Sequence, residues 1–270
     1  MTHLVESALR RERGILIAGL VIISLLAWIY VINLSFRMTG AATEGGSAME
    51  MPAAPMTMPN TQAWQGEDVI FTLVMWAVMM VAMMIPSAAP MILTFAALNR
   101  QRRAQETPVA GTAAFLLGYL IVWITFSAAA TFIQWGFHFA GLLSPRSMSV
   151  TPLAGGILLM LAGAYQFTPL KNVCLSNCRT PVRFLLTEWR DGTRGALVMG
   201  LRHGLYCLGC CWPLMLLLFV AGVMNLLWVA LIAGYVLIEK AIPAGQLVSR
   251  VIGLLSIGWG AWLFIQMLAP

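Results

Sequence analysis

Apolar residues run along this chain in blocks about twenty long, separated by short polar or basic stretches. A helix needs about 20 consecutive apolar residues to cross a hydrocarbon core roughly 30 Å thick. Residues 14–34, 69–89 (continuing towards 98), 111–133 and 247–268 reach that length. Residues 153–170 are slightly short, residues 196–220 are long enough but contain Pro213, and residues 223–238 follow a tight turn near Asn225. The pattern predicts an all-α protein, a polytopic transmembrane helical bundle of seven spans. The count falls to six if residues 223–238 form a re-entrant hairpin.

Three regions follow from the same pattern. Residues 1–34 hold a tail and the first span, read as retained because no clear small-residue cleavage site follows it closely. Residues 35–68, rich in Met, Pro, Ala and Gly, lack large core-forming side chains and predict a mobile periplasmic loop. Residues 69–270 form the helical domain, with a basic cysteine-bearing connection at 168–195.

Composition supports the lipid bilayer as the main partner. The chain is 60% apolar and 10% charged, against about 25% charged in a soluble domain. The net charge of +6 does not indicate nucleic acid, because the basic residues lie between apolar runs, where they act as topology signals. With seven alternating spans, fourteen of the sixteen Lys and Arg residues fall on one side, leaving only Arg37 and Arg146 on the other. The arginine-rich side is cytoplasmic by the positive-inside rule. The expectation is a multi-pass protein of a bacterial inner membrane with its N-terminus in the cytoplasm.

All five cysteines, Cys174, Cys178, Cys207, Cys210 and Cys211, fall within about a seventh of the chain. Their odd number excludes a complete disulfide framework, and the cytoplasmic side is reducing. In an ideal helix His203, Cys207, Cys210 and Cys211 share one stripe about 100° wide. Gly204 and Gly209 would let a neighbouring segment approach it. Cys174 and Cys178 are also four apart, so a helical turn would aim both at one point. Thiolate and imidazole are ligands for Cu(I), zinc or iron–sulfur clusters. Cu(I) is preferred here and Zn(II) is the alternative. The C-x3-C and C-x2-C-C spacings are not those of a zinc ribbon, and the single C-x-x-C at Cys207 and Cys210 also fits a redox pair.

The remaining signals are weaker. Met49, Met51, Met56 and Met58 in the outer connection are soft donors whose only argument is their chemistry. Met75, Met79, Met80, Met83 and Met84 spread over half the circumference of the second span, as lipid-facing or packing side chains would. Pro86 and Pro90 predict a kink there. Glu239 is expected to pair with an inner-loop arginine, and Lys240 to snorkel to the interface. No G-x-S-x-G, P-loop or H-E-x-x-H motif is present, and the chain does not read as an enzyme.

The segments MWAVMMVAMMIPSAAP, YQFTPLKNVCLSNCRTP, GLRHGLYCLGCCWPLM and GYVLIEKAIPAG resemble a bacterial family of predicted metal-binding integral membrane proteins, classed as a domain of unknown function. The resemblance covers roughly residues 69–268. It implies a polytopic inner-membrane protein holding metal at Cys174, Cys178, Cys207, Cys210 and Cys211, and supplies no reaction. Three functions are carried forward. The first is metal handling or delivery through a cytoplasmic-side Cys/His cluster, to a membrane protein partner or within a homo-oligomer. The second is a thiol oxidoreductase relaying electrons through Cys207 and Cys210. The third is a scaffold subunit pinned by a structural zinc.

Overall fold

The computed structural model describes residues 2–44, 66–102, 108–143 and 149–268. The four outer methionines from Met49 to Met58 lie outside the described residues. Ten helices follow in order: α1 (Thr2–Glu44), α2 (Gly66–Arg102), α3 (Pro108–Phe139), α4 (Pro152–Tyr165), α5 (Pro169–Arg179), α6 (Pro181–Glu188), α7 (Gly192–Leu216), α8 (Leu218–Ala221), α9 (Leu226–Ala241) and α10 (Gly245–Leu268). No named strand occurs among the described residues; one isolated bridge joins Leu143 to Val150.

Five stretches are long and apolar enough to cross a membrane: Arg13–Arg37, Gly66–Arg100, Gly111–Phe139, Gly192–Ala221 and Gly245–Gln266. A sixth results if α4 and α5, bent by 67°, act as one broken span. Seven spans are therefore not reached by length and composition. One reason is that α4 stops at Tyr165, and a new helix begins at Pro169 behind the Thr168 cap, whose side chain accepts from the Lys171 N–H at 3.3 Å. The other is that α9 is only 16 residues long, about 24 Å at 1.5 Å per residue. It ends where Ile242, held extended before Pro243, cannot continue it.

Residues 168–195, expected as a basic connection, are largely helical. Three Thr-Pro steps, at Thr151, Thr168 and Thr180, set proline at the first turn of α4, α5 and α6. Proline there loses no helical hydrogen bond and supplies a helical φ. Pro86 and Pro90 both lie inside the continuous α2.

The packing centres on α7, the most buried of the long stretches at 56%, while α1 is the least at 17%. Helices α2 and α3 are antiparallel: Trp76 Nε1 donates to Gln134 Oε1 at 2.7 Å near one end, and Phe95 stacks on Phe115 at 4.6 Å near the other. Helices α3 and α7 run parallel, Phe115 facing Gly200 and Val122 facing Gly204. A Cβ on Gly200 would lie 2.0 Å from the Phe115 carbonyl oxygen, so this contact exists only because position 200 has no side chain. Helix α10 lies antiparallel against α4, with Gly163 opposite Gly253.

Candidate metal centre

Helix α5 turns one face inward, and that face carries Lys171, Cys174, Leu175 and Cys178. Spacings of three, four and seven place these residues on one stripe. On α7 the buried set includes His203, Cys207, Cys210 and Cys211. The two stripes meet because Gly209 leaves room: a Cβ there would lie 2.7 Å from Cys174 Sγ. The Tyr165 hydroxyl closes the same joint, donating to the Gly209 carbonyl at 2.5 Å. The expected close approaches at Gly204 and Gly209 both occur, the first against α3 and the second against α5.

All five cysteines are buried and none is in a disulfide. Cys178 lies within electrostatic range of Cys210, and Cys211 within range of both Cys207 and Cys210. Buried sulfurs from two separate helices are thus gathered in one region of the interior. Cys210 and Cys211 also donate to the Cys207 carbonyl, at 3.1 and 2.9 Å. Cys174 sits at the edge of the group, beside Gly209 and within electrostatic range of Cys210. Among the described residues no three His, Cys, Asp or Glu side chains are already arranged to hold a metal ion.

His203 is one turn before Cys207, 2% exposed, and lies among three rings: Tyr119 at 5.5 Å, Phe184 at 5.7 Å and Phe115 at 6.0 Å. Its Nδ1 is buried without a hydrogen-bond partner. A buried ring nitrogen left unpaired costs free energy, and it remains a donor atom for an ion reaching that side of the cluster.

Three groups complete the site that sequence reasoning did not include. Lys240, at the end of α9, turns inward instead of snorkelling. Its ammonium donates to Cys207 Sγ at 3.0 Å and to Ser87 Oγ at 3.1 Å. The Tyr119 hydroxyl lies 3.2 Å from the same sulfur and 3.3 Å from the Met84 carbonyl. Helices α3, α7 and α9 therefore meet at Cys207, and α2 reaches its two neighbours through Ser87 and the Met84 carbonyl. Glu239 points elsewhere and pairs with Lys171, not with an arginine, at 2.6 Å with both side chains fully buried. The same carboxylate oxygen accepts from the hydroxyls of Tyr235 (2.8 Å) and Ser249. Lys171 also donates to Gln166. One available signal was the sequence spacing of Lys171, which shares the helical face of Cys174 and Cys178.

The methionines of α2 are all interior: Met75, Met79, Met80, Met83 and Met84 are each buried. The lipid-facing alternative for them is removed.

A buried group of thiols fed by two helices, with an unpaired imidazole nitrogen at its margin, is the donor chemistry of soft-metal proteins. The chain belongs to the PpoB2 copper chaperone family, whose sequence profile matches residues 73–263. That match spans every cysteine, His203 and Lys240, and agrees with the metal-related family that the motifs resembled. No curated protein and no solved structure matches the chain.

Proposed function

We propose that this chain is an integral membrane copper-handling protein. It would hold Cu(I) as cargo between two thiolates, Cys178 on α5 and Cys207 or Cys210 on α7, with Cys174, Cys211 and His203 as flanking donors, and pass it to a partner. The observation that carries the reading is the gathering of the five free, buried thiols of α5 and α7, with Cys174 Sγ seated against Gly209, in a chain of a copper chaperone family. Soft thiolates favour Cu(I), and a dry setting protects them. Zinc is the weaker reading, because the matched family is one of copper chaperones.

The membrane arrangement belongs to the same proposal. The elements run in alternating directions, with α4 and α5 together as one broken crossing and α9 as a short one. A broken helix at membrane depth is tolerated where protein covers it, and α5 is covered by α7. The N-terminus and the arginine-rich ends would face the cytoplasm of a bacterial inner membrane, on the positive-inside argument.

The test is anaerobic Cu(I) titration of detergent-purified, monodisperse full-length protein against a competing chromophoric chelator. Wild type is expected to bind copper tightly. Cys207→Ser/Cys210→Ser should lose nearly all of it, and Cys174→Ser/Cys178→Ser most of it, because too few soft donors remain. His203→Ala should lose less. Copper retained in full by both double variants would overturn the reading. A mixed disulfide trapped on Cys210 in Cys207→Ser would favour a thiol relay instead.

A further inference from the structure

Lys240 is an unusual neighbour for a metal-binding thiol. Its ammonium is brought inside the bundle, where it meets Cys207 Sγ and Ser87 Oγ. Among the described residues no carboxylate approaches it. The adjacent Glu239 is turned away and occupied by Lys171. Consecutive residues on a helix point about 100° apart, so α9 directs one charge to each of two different clusters. Burying an ammonium is costly unless an anion or several hydrogen bonds compensate it. The anionic partners available to Lys240 are the sulfurs of Cys207, with Cys210 and Cys178 also within electrostatic range. The lysine is thus placed to balance charge on sulfur.

We propose that Lys240 is the built-in counter-cation of the thiol site and sets its preference for a monovalent over a divalent soft ion. The proposal rests on the copper reading above. Metal-bound thiols are thiolates. A singly charged ion between two thiolates leaves one net negative charge, which the Lys240 ammonium cancels. A doubly charged ion between the same two thiolates is already neutral, and the ammonium makes the site positive. In a poorly screened interior one uncompensated charge is a large penalty. Recruiting a third thiolate could neutralise the divalent case, but it would require one more buried cysteine to lose its proton. Lys240 therefore acts on selectivity without being a ligand.

The experiment compares Lys240→Met, Lys240→Arg and wild type for binding of Cu(I) and Ag(I), and of Cd(II) and Zn(II), in the purified full-length protein. Cadmium and silver separate charge from softness, since both are soft. In Lys240→Met, affinity for Cu(I) and Ag(I) should fall roughly tenfold or more, while affinity for the divalent ions holds or rises. Lys240→Arg should keep the wild-type ratio between the two classes, since it keeps the charge. If the methionine disturbs folding, Lys240→Gln carries the same expectation. An equal loss for all four ions would make Lys240 merely structural and overturn the proposal, as would unchanged Cu(I) binding. A wild-type protein that binds neither Cu(I) nor Ag(I) would overturn the copper reading beneath it. Wild-type binding with an unaltered ion preference in Lys240→Met would overturn this proposal alone.

Discussion

Lys171 and Lys240 both carry an ammonium into the interior of the bundle, and they end against different atoms. Lys171 meets the Glu239 carboxylate and the Gln166 side-chain oxygen, while Tyr235 and Ser249 donate to the same carboxylate oxygen. That cluster is closed in charge and joins α4, α5, α9 and α10. Lys240 meets a sulfur and a hydroxyl, and its cluster is closed only if sulfur carries charge. The first cluster reads as a clamp that positions the cysteine-bearing α5. The second reads as a reactive centre. Neighbouring residues on one short helix, Glu239 and Lys240, thus separate architecture from chemistry.

The comparison breaks first at Glu239. Replacing it with leucine leaves Lys171 buried without its carboxylate, beside Gln166 and the Tyr235 ring, and removing one partner of a buried pair costs about 3–5 kcal/mol. Thermal unfolding of Glu239→Leu in detergent should show that loss. The double variant Lys171→Met/Glu239→Leu should recover most of it, because an apolar pair of similar volume is often neutral or stabilising. If the double variant unfolds like the single one, the pair is not a simple clamp. Copper capacity in the double variant should survive, since none of the thiol contacts involves either residue.

The helices and the cysteine faces were largely legible in the sequence, because both follow from period. Runs of about twenty apolar residues mark the long helices, and spacings of three and four put Cys174 with Cys178, and Cys207 with Cys210 and Cys211, on common faces. The meeting of the two faces was partly legible, since Gly209 is an opening with an evident use. The break between α4 and α5 was obscured by polar composition, although Thr168–Pro169 is a helix-start signal. The roles of Glu239 and Lys240 were not legible. A charged pair at the end of an apolar run looks the same whether it reaches outward to water or inward to partners on other helices. Only the tertiary placement of α9 against α2 and α7 decides that. Tyr119 was missed for the same reason, as its sulfur contact lies 88 positions away along the chain.

On the thiol side a smaller effect is expected at Tyr119. Tyr119→Phe keeps the ring that stacks at 5.5 Å on His203 and removes the hydroxyl beside Cys207 Sγ and the Met84 carbonyl. Losing such a hydrogen bond costs about 0.5–1.5 kcal/mol. If it is felt mainly in the loaded state, Cu(I) affinity should drop by about two- to tenfold. The chelator competition used for the cysteine variants measures this directly. A drop in stability with no change in affinity would move the hydroxyl from the reactive centre to the architecture.

The smallest effect on copper is expected where sulfur is present without charge. Met79, Met80, Met83 and Met84 are buried on α2, and the Met84 backbone carbonyl accepts from Tyr119 and Ser87. A thioether is a soft ligand, but it brings no negative charge to answer Lys240, so the charge balance argued for the thiolates does not extend to it. A flexible, unbranched side chain also fills irregular gaps between helices. On that account Met80→Leu and Met84→Leu conserve volume, cost less than about 1.5 kcal/mol each, and leave the number of copper ions per chain unchanged. Stoichiometry by elemental analysis of each variant, beside its unfolding midpoint, checks both parts. Copper lost from either variant at preserved stability would draw the thioethers of α2 into the donor set, and the division between a packed interior and a single thiolate centre would no longer hold.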